Sequence, residues 1–162
     1  MTPLLLWLPF LAIAAHLVEE FVWPGGFAEW YRHYPPGHTV QVSARLLVIV
    51  NVLFVALALV PPLLGANARG WAYWALVAAI AGVNGLFHII ATVRGRQYSP
   101  GLITGSLLYL PLGFIGIEEL VRSGKVAAPV ALQAIVIAVL YATWSSWKHR
   151  RSAMAASSGR SS

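Results

Sequence analysis

The amino-acid sequence predicts an all-α fold, a polytopic membrane protein built as a bundle of five transmembrane helices. Hydrophobic residues make up 59% of the 162 residues and charged residues only 10%, whereas a soluble domain carries about 25% charged residues. The mean hydropathy of +0.72 agrees with this contrast. Five separate stretches are apolar over about 20 residues or more, which is the length that a helix needs to cross the hydrocarbon core of a bilayer.

Proline and glycine residues separate the five predicted helices. The helices cover Pro3–Val22, Val40–Leu64, Trp71–Val93, Leu102–Val121 and Val126–Trp147. Pro24 follows the first of them and Pro100 precedes the fourth, as expected at helix boundaries. Pro111 lies inside the fourth helix and predicts a kink there. We assign residues 1–151 to one transmembrane domain and expect the small and polar residues 152–162 to form a disordered tail.

The third predicted helix is rich in small residues that lie four positions apart. The pairs are Ala75/Ala79, Ala78/Gly82 and Ala81/Gly85. Such spacing lets neighbouring membrane helices approach closely, because no large side chain separates their backbones. We therefore place this helix at the centre of the bundle.

The distribution of Lys and Arg predicts how the chain is oriented in the cell membrane. If the five helices alternate in direction, eight basic residues lie on the side of the first loop, the third loop and the C-terminus. The opposite side has three: Arg69, Arg122 and Lys125. We expect the richer side to be cytoplasmic, so that the N-terminus is outside and the C-terminus inside. The net charge of +6 is then explained by topology and by contacts with anionic membrane lipids, and we expect no binding of nucleic acid.

The sequence contains neither cysteine nor aspartate. The absence of cysteine excludes disulfides, thiolate zinc sites, iron–sulfur clusters and a cysteine nucleophile. The five acidic residues are Glu19, Glu20, Glu29, Glu118 and Glu119. The last two precede basic residues at the far end of the fourth helix, which predicts an interfacial ion-pair group. Glu29 lies in the first loop with His33 and His38, where we expect contacts with lipid head groups or, alternatively, a lid over a pocket.

Ionisable residues near the end of the first helix indicate a buried site. Charged groups inside a membrane helix are costly, usually paired, and often functional. His16 shares a helix face with Glu19 and Glu20, which lie three and four positions later. Two neighbouring buried glutamates repel each other, and either a proton or a bound cation would relieve this repulsion.

The third helix carries a second polar pair at the same depth. Asn84 and His88 are four residues apart and therefore share a face. His16 lies six residues before Val22 and His88 five before Val93, at ends that are both predicted to be cytoplasmic. Because each residue advances a helix by about 1.5 Å, the two histidines should lie at nearly the same level. The sequence therefore predicts one cluster, formed by His16, Glu19, Glu20, Asn84 and His88.

Two further polar residues are candidates for this cluster. Tyr98 follows the third helix on the same side, where its hydroxyl could reach a substrate or a ligand carboxylate. The alternative is that it is an interfacial tyrosine in a tight turn. Asn51 lies in the middle of the second helix and could line the site and orient a substrate, or else form an interhelical hydrogen bond.

Three short motifs resemble those of a known family. The motifs are HLVEE at 16–20, NGLFH at 84–88 and YSPG at 98–101. Their order and spacing resemble the HXXEE family of small bacterial integral membrane proteins, over about residues 10–115. This family has several hydrophobic helices, no established function, and a suspected role in catalysis or metal binding. The resemblance implies that the functional candidates are His16, Glu19, Glu20, Asn84, His88 and Tyr98.

Imidazole and carboxylate ligands are suited to a divalent metal such as Zn, Fe or Mn. Our metal hypothesis uses His16, Glu20 and His88 as ligands, with Glu19 as general base or bridging ligand. Asn84 would orient a ligand or stabilise a developing oxyanion. A bound metal lowers the pKa of water to about 7, which favours a hydrolase-like enzyme that acts on a small lipophilic or membrane-accessible substrate.

Three alternatives use the same residues. A metal-free isomerase or cyclase could use one glutamate as acid and its neighbour as base, with His16 or His88 moving the proton. A small proton- or cation-coupled carrier also needs a buried Glu/His cluster. The cluster could finally be structural, a set of hydrogen bonds between the first and third helices. Enzymatic activity therefore stays a hypothesis.

Overall fold

The structure is a computed structural model that describes residues 3–34 and 44–158. These residues form helices and connecting turns and contain no β-strand. Five of the helices are long and apolar enough to cross a membrane. The predicted all-α fold with five membrane-spanning helices is therefore confirmed.

Six helices follow one another along residues 3–34 and 44–158. A short 3₁₀ turn, Pro3–Trp7, leads into α1, Leu8–Phe21. The other helices are α2, Phe27–Arg32; α3, Ala44–Leu64; α4, Ala68–Gly95; α5, Leu102–Arg122; and α6, Ala128–Ser158. The short α2 was not predicted; it lies in the first loop, after the glycines at positions 25 and 26, both of which have positive φ.

Several helix boundaries differ from the predicted ones. The last helix continues past Trp147 to Ser158 and so includes most of the segment that we predicted to be disordered. Alanine-rich sequence such as residues 153–156 has high helix propensity, which explains the extension. Residues 159–162, and residues 40–43 of the predicted second helix, lie outside the described part of the chain.

The helix α4 starts earlier than predicted because Asn67 caps it. The side-chain oxygen of Asn67 accepts hydrogen bonds from the backbone N–H groups of Arg69 and Gly70, both at 3.0 Å. Asparagine is a favoured N-cap because it satisfies N–H groups that lack an intrahelical partner. The helix therefore begins at Ala68 rather than Trp71.

The helix α4 occupies the centre of the bundle, as the small residues predicted. It contacts α1, α3, α5 and α6. Its approach to α5 depends on glycine on both sides. A Cβ atom added at Gly85 would lie 2.6 Å from the carbonyl oxygen of Gly105, and one added at Gly113 would lie 2.8 Å from the Cα of Gly82. Larger side chains at these positions would push the two helices apart.

The helix α5 contains two π-helical turns, one on each side of Pro111. They cover Gly105–Tyr109 and Leu112–Gly116. We predicted a kink at Pro111, which lacks a backbone N–H; the structure shows these widened turns around it. In a π-turn, residues five apart lie above one another. Thr104 and Tyr109 thereby both contact His16 of α1.

Candidate metal site

Three side chains from two helices meet inside the bundle. His16 and Glu20 lie one turn apart on α1, and His88 comes from α4. Their exposed fractions are 2%, 4% and 0%. Oε1 of Glu20 lies 3.4 Å from Nε2 of His16 and 3.3 Å from Nε2 of His88. One ligand atom from each residue lies within 4.8 Å of the other two, so the three could hold one metal ion.

The distances from Glu20 to the two imidazole nitrogens are compatible with a bound metal ion. Nε2 of His16 and Nε2 of His88 are buried and have no hydrogen-bond partner among the described residues. Around a tetrahedral ion with metal–ligand distances of about 2.0–2.1 Å, neighbouring ligand atoms are about 3.3 Å apart. Both distances to Glu20 match this value. The two pairs that include Glu20 are therefore spaced like ligands of one ion, and one ligand atom of each histidine lies within 4.8 Å of the other.

The opposite nitrogen of each imidazole is held by a hydroxyl group. Nδ1 of His16 lies 2.8 Å from Oγ1 of Thr104, and Nδ1 of His88 lies 2.9 Å from Oγ of Ser99. Ser99 is itself fixed, because its backbone N–H donates to Oγ1 of Thr92 at 3.2 Å. Partners of this kind fix the orientation of metal-binding imidazoles.

Glu19 does not join the three converging side chains. Its carboxylate accepts four hydrogen bonds from the segment that begins α5. Oε1 accepts from the hydroxyl of Tyr98 and from the backbone N–H of Ile103, at 2.9 Å from the latter. Oε2 accepts from the backbone N–H of Thr104 at 2.7 Å and from its hydroxyl at 2.5 Å. The buried charge thus lies at the N-terminus of α5, where the helix dipole favours an anion.

The hydrogen bonds of Thr104 indicate which nitrogen of His16 carries a proton. The hydroxyl of Thr104 has a single proton and donates it to Glu19. It must therefore accept its bond with His16, so the Nδ1 of that ring carries a proton. With Nδ1 protonated, the other ring nitrogen, Nε2, is the one that lies 3.4 Å from the carboxylate oxygen of Glu20. Either a proton or a cation between these two buried atoms would satisfy both of them.

Gly101 packs directly against both imidazoles. A Cβ atom at this position would lie 2.7 Å from Cε1 of His16 and 2.7 Å from Cε1 of His88. The residue also has φ of +100°, which L side chains rarely adopt. Only glycine therefore satisfies both the turn and the space beside the rings.

Aromatic rings surround the two imidazoles. The buried ring of Tyr109 packs against that of His16, with centroids 4.2 Å apart and planes inclined by 31°. The ring of Phe27, from α2, lies 5.9 Å from that of His88. The ring of Tyr31 stacks on that of Phe27, with centroids 5.4 Å apart. Burial, and after it the nearby Tyr141 and Tyr34, raise the pKa of Tyr31 to about 12. The first loop thus contributes an aromatic cover beside the site.

The comparison with known proteins agrees with the motifs. A family model described as a protein of unknown function with an HXXEE motif matches residues 7–115, more than half of the chain. The chain belongs to the HXXEE family. In this HXXEE protein the defining motif is the segment 16–20, which supplies two of the three converging side chains.

A protein similar to this HXXEE protein is the uncharacterized protein YrkK of Bacillus subtilis strain 168. The two sequences are 25% identical over 111 residues, which cover 67% of this chain and 70% of YrkK. No solved structure matches the chain significantly. The comparisons therefore give the family but no activity.

The other predicted residues of this HXXEE protein are placed in different ways. Asn84 lies one turn before His88, and its buried Oδ1 has no hydrogen-bond partner among the described residues. The hydroxyl of Tyr98 donates a hydrogen bond to Glu19, and the residue is 40% exposed. Asn51 donates to the carbonyl of Leu47 in its own helix at 3.0 Å, rather than forming the interhelical bond that we considered. No contact of Asn51 with the cluster is seen in the described residues.

Two of the acidic groups outside the cluster, Glu29 and Glu118, form exposed ion pairs. Glu118 lies 3.7 Å from Arg122, in agreement with the predicted ion-pair group. In the first loop, Glu29 pairs with Arg32 and approaches His33 at 3.6 Å. His38, for which we considered a role in a lid, lies outside the described residues.

Sequence reasoning missed the residues that support the imidazoles. Ser99 and Gly101 lie inside the YSPG motif, which we used only for its tyrosine. Thr104 and Tyr109 carried no signal, because a lone threonine or tyrosine in an apolar helix is common. Only the π-turn of α5 brings both of them against His16.

Proposed function

We propose that this protein is a metal-dependent, hydrolase-like enzyme of the cell membrane whose metal is held by His16, Glu20 and His88. The observation that carries the proposal is that the buried Nε2 of His16, which has no hydrogen-bond partner among the described residues, lies 3.4 Å from the carboxylate oxygen of Glu20. A divalent cation between these atoms would satisfy both of them and His88 Nε2 as well. Such a site leaves a fourth position for water or substrate.

The two imidazoles and one carboxylate favour Zn, Fe or Mn. A bound ion supplies Lewis acidity and makes water acidic enough to act near neutral pH. The hydroxyls of Thr104 and Ser99 would keep each Nε2 directed at the ion. The unpartnered Oδ1 of Asn84 would accept a hydrogen bond from a substrate or from water near His88.

We assign Glu19 a positioning role instead of the general-base role considered from the sequence. Its two oxygens already accept four hydrogen bonds, and a base must exchange protons with a reacting group. By binding Tyr98 and Thr104, it holds the segment that carries Ser99 and Gly101 against the two imidazoles.

Metal analysis of the purified protein tests this function. After removal of metal and reloading with Zn, Fe(II) or Mn in turn, we expect about one ion per chain for the wild type. The variants His16→Ala, His88→Ala and Glu20→Gln should lose most of it. His33→Ala, which alters an exposed histidine outside the cluster, is the matched control and should bind like the wild type. Negligible metal in all proteins, or equal metal in all, would refute the proposal.

A metal-free acid–base enzyme is the second candidate, and one observation favours it. Polar groups connect the partly exposed Tyr98 to the buried interior through Glu19, Thr104 and His16, and from there to Glu20. Such a chain could deliver a proton to the position between His16 and Glu20. This candidate predicts that the wild type binds no metal and that activity on a substrate shows a bell-shaped pH profile.

We further propose that the N-terminus lies outside and the C-terminus inside, on the basis of the Lys and Arg distribution. The chain lacks cysteine, so single cysteines can be added without further changes. A membrane-impermeant maleimide should label Ser123→Cys on intact cells and Gln97→Cys only after lysis. The reverse pattern would invert the topology and place the His–Glu cluster near the outer surface.

A further inference from the structure

We infer that the groove between α1 and α5 binds one acyl chain of an anionic phospholipid, whose head group lies at the end nearest His16. This inference deepens the proposed function, because it names the substrate class, and it rests on that function for the chemistry. The binding itself needs no metal. The two ideas can therefore fail separately.

The groove is apolar and faces the membrane. It has a volume of about 490 Å³, with Leu11 and Ala12 of α1 on one wall and Leu107 and Leu108 of α5 on the other. Leu11 is 53% exposed and Leu107 is 68% exposed. Because all of these residues belong to membrane-spanning helices, the medium that fills the groove is hydrocarbon.

The floor of the groove is built into the fold. It includes the indole of Trp74, whose N–H donates to the backbone carbonyl of Leu5 at 2.9 Å. Gly116 lies opposite, and a Cβ atom there would be 2.5 Å from Cη2 of Trp74. The hydrogen bond of Trp74 fixes its ring, and the absence of a side chain at Gly116 leaves room for that ring, so the surface stays concave. An ordinary lipid-facing helix surface has no such fixed floor.

The groove leads toward the candidate metal site. Ala12 in its wall lies one turn before His16 on α1, and Leu108 lies about one turn after Thr104 on α5. The groove therefore ends beside the hydrogen bond between His16 and Thr104. From Leu107 to Glu119 the walls extend about 18 Å at 1.5 Å per residue. This length suits a lipid chain, since the chains of one leaflet cover about 15 Å.

Charge favours one orientation of the lipid and an anionic head group. Arg94 and Arg96 are exposed at the end of α4 next to the site, where they can attract a phosphate. At the far end two cations are accompanied by two carboxylates: Arg122 lies 3.7 Å from Glu118, Lys125 lies 5.7 Å from the ring centre of Trp71, and Glu119 lines the groove itself. An anionic head group at that end would face the carboxylate of Glu119.

Photo-crosslinking in vesicles tests the inference. The full-length protein is reconstituted in phosphatidylcholine and phosphatidylglycerol, and one of the two lipids carries a diazirine in its acyl chain. With labelled phosphatidylglycerol, we expect adducts on Leu11 and Leu107–Leu108 to exceed, several-fold, those on the exposed surface of α3 at Val48 and Val52. Labelled phosphatidylcholine should give a smaller excess.

Variants that fill the groove provide the decisive comparison. Leu108→Trp and Leu107→Trp should lower the groove adducts several-fold without changing the metal content. Leu140→Trp, on an exposed face of α6, is the control and should not lower them. His88→Ala should lose metal and keep the adducts, so the failure of one proposal is not mistaken for the failure of the other.

Four results would overturn the inference. Equal labelling of the groove and of α3 would mean that only bulk lipid is present. Equal groove labelling by both lipids would refute the anionic head group. Unchanged labelling of the tryptophan variants would exclude the groove as the binding site. In a separate experiment the protein itself carries a diazirine side chain at position 108. Crosslinks from that side chain to a second copy of the chain would show that a protein, and not a lipid, occupies the groove.

Discussion

The hydroxyl of Thr104 lies 2.8 Å from Nδ1 of His16, and this contact decides which nitrogen of the imidazole is free. Thr104 donates its only proton to Glu19, so it accepts from His16. The other nitrogen, Nε2, lies 3.4 Å from Glu20, and the ring of His88 lies beside it with ring centroids 4.9 Å apart. A residue on α5 thus orients the imidazole on α1 that the proposed metal site would combine with His88 of α4.

Replacement of Thr104 by valine should weaken metal binding about 10- to 100-fold, the usual effect of losing a partner of a metal-binding histidine. Valine has nearly the same shape as threonine but cannot accept a hydrogen bond from Nδ1 of His16. Thr104→Ser keeps the hydroxyl and should bind nearly as well as the wild type. Titration of the metal-free protein with Zn measures the affinity. Thr143→Val, which changes an exposed threonine on α6, is the control. Equal affinities for valine and serine at position 104 would contradict this role.

Gly101→Ala should remove metal binding and lower stability. Its Cβ would lie 2.7 Å from both imidazoles, and its φ of +100° strains any L side chain. Gly124→Ala separates the two effects, because Gly124 has φ of +69° but no atom within 4 Å of an added Cβ. We expect Gly124→Ala to lose about 1 to 2 kcal/mol of unfolding free energy and to keep its metal. Thermal unfolding and metal analysis of both variants check this, and a Gly101→Ala protein with full metal would refute the steric argument.

Glu19→Gln should lower the free energy of unfolding by about 2 kcal/mol or more. The uncharged amide loses the charge-assisted hydrogen bonds, and its N–H₂ group faces the donors that the carboxylate oxygen accepted from. The variant should still bind metal when folded. Glu20→Gln should show the opposite pattern, with little loss of stability and loss of metal. Glu29→Gln, at an exposed position, controls for the removal of a charge. Unfolding in detergent micelles gives the stability, and similar behaviour of Glu19→Gln and Glu20→Gln would refute the division of roles.

The sequence was sufficient to predict the fold and the meeting of the three side chains, for physical reasons. Length and hydropathy determine membrane helices, and the 3.6-residue period places His16 and Glu20 on one face. The depth of His88 followed from counting residues to the helix end. The separation of Glu19 from Glu20 could not be predicted, because it depends on where the backbone N–H groups of Ile103 and Thr104 lie.

Tyr98 should make stability depend on pH in the alkaline range. Burial raises its pKa above the ordinary range, and the hydrogen bond to the negative Glu19 raises it further. An unfolded tyrosine releases its proton at about pH 10, whereas the folded protein retains it. The contribution of Tyr98 to stability is therefore complete below about pH 10 and is lost as the pH rises through the folded-state pKa.

The comparison of wild type with Tyr98→Phe isolates this contribution. Below about pH 10 the variant should be less stable by about 1 kcal/mol, because it lacks the hydrogen bond to Glu19. The difference should shrink at higher pH as Tyr98 ionises in the wild type. Tyr31, whose pKa is about 12, is present in both proteins and cancels. Unfolding temperatures measured from pH 8 upward check the trend. A difference in stability that stays constant or widens above about pH 10 would mean that the hydrogen bond from the Tyr98 hydroxyl to Glu19 does not stabilise the fold.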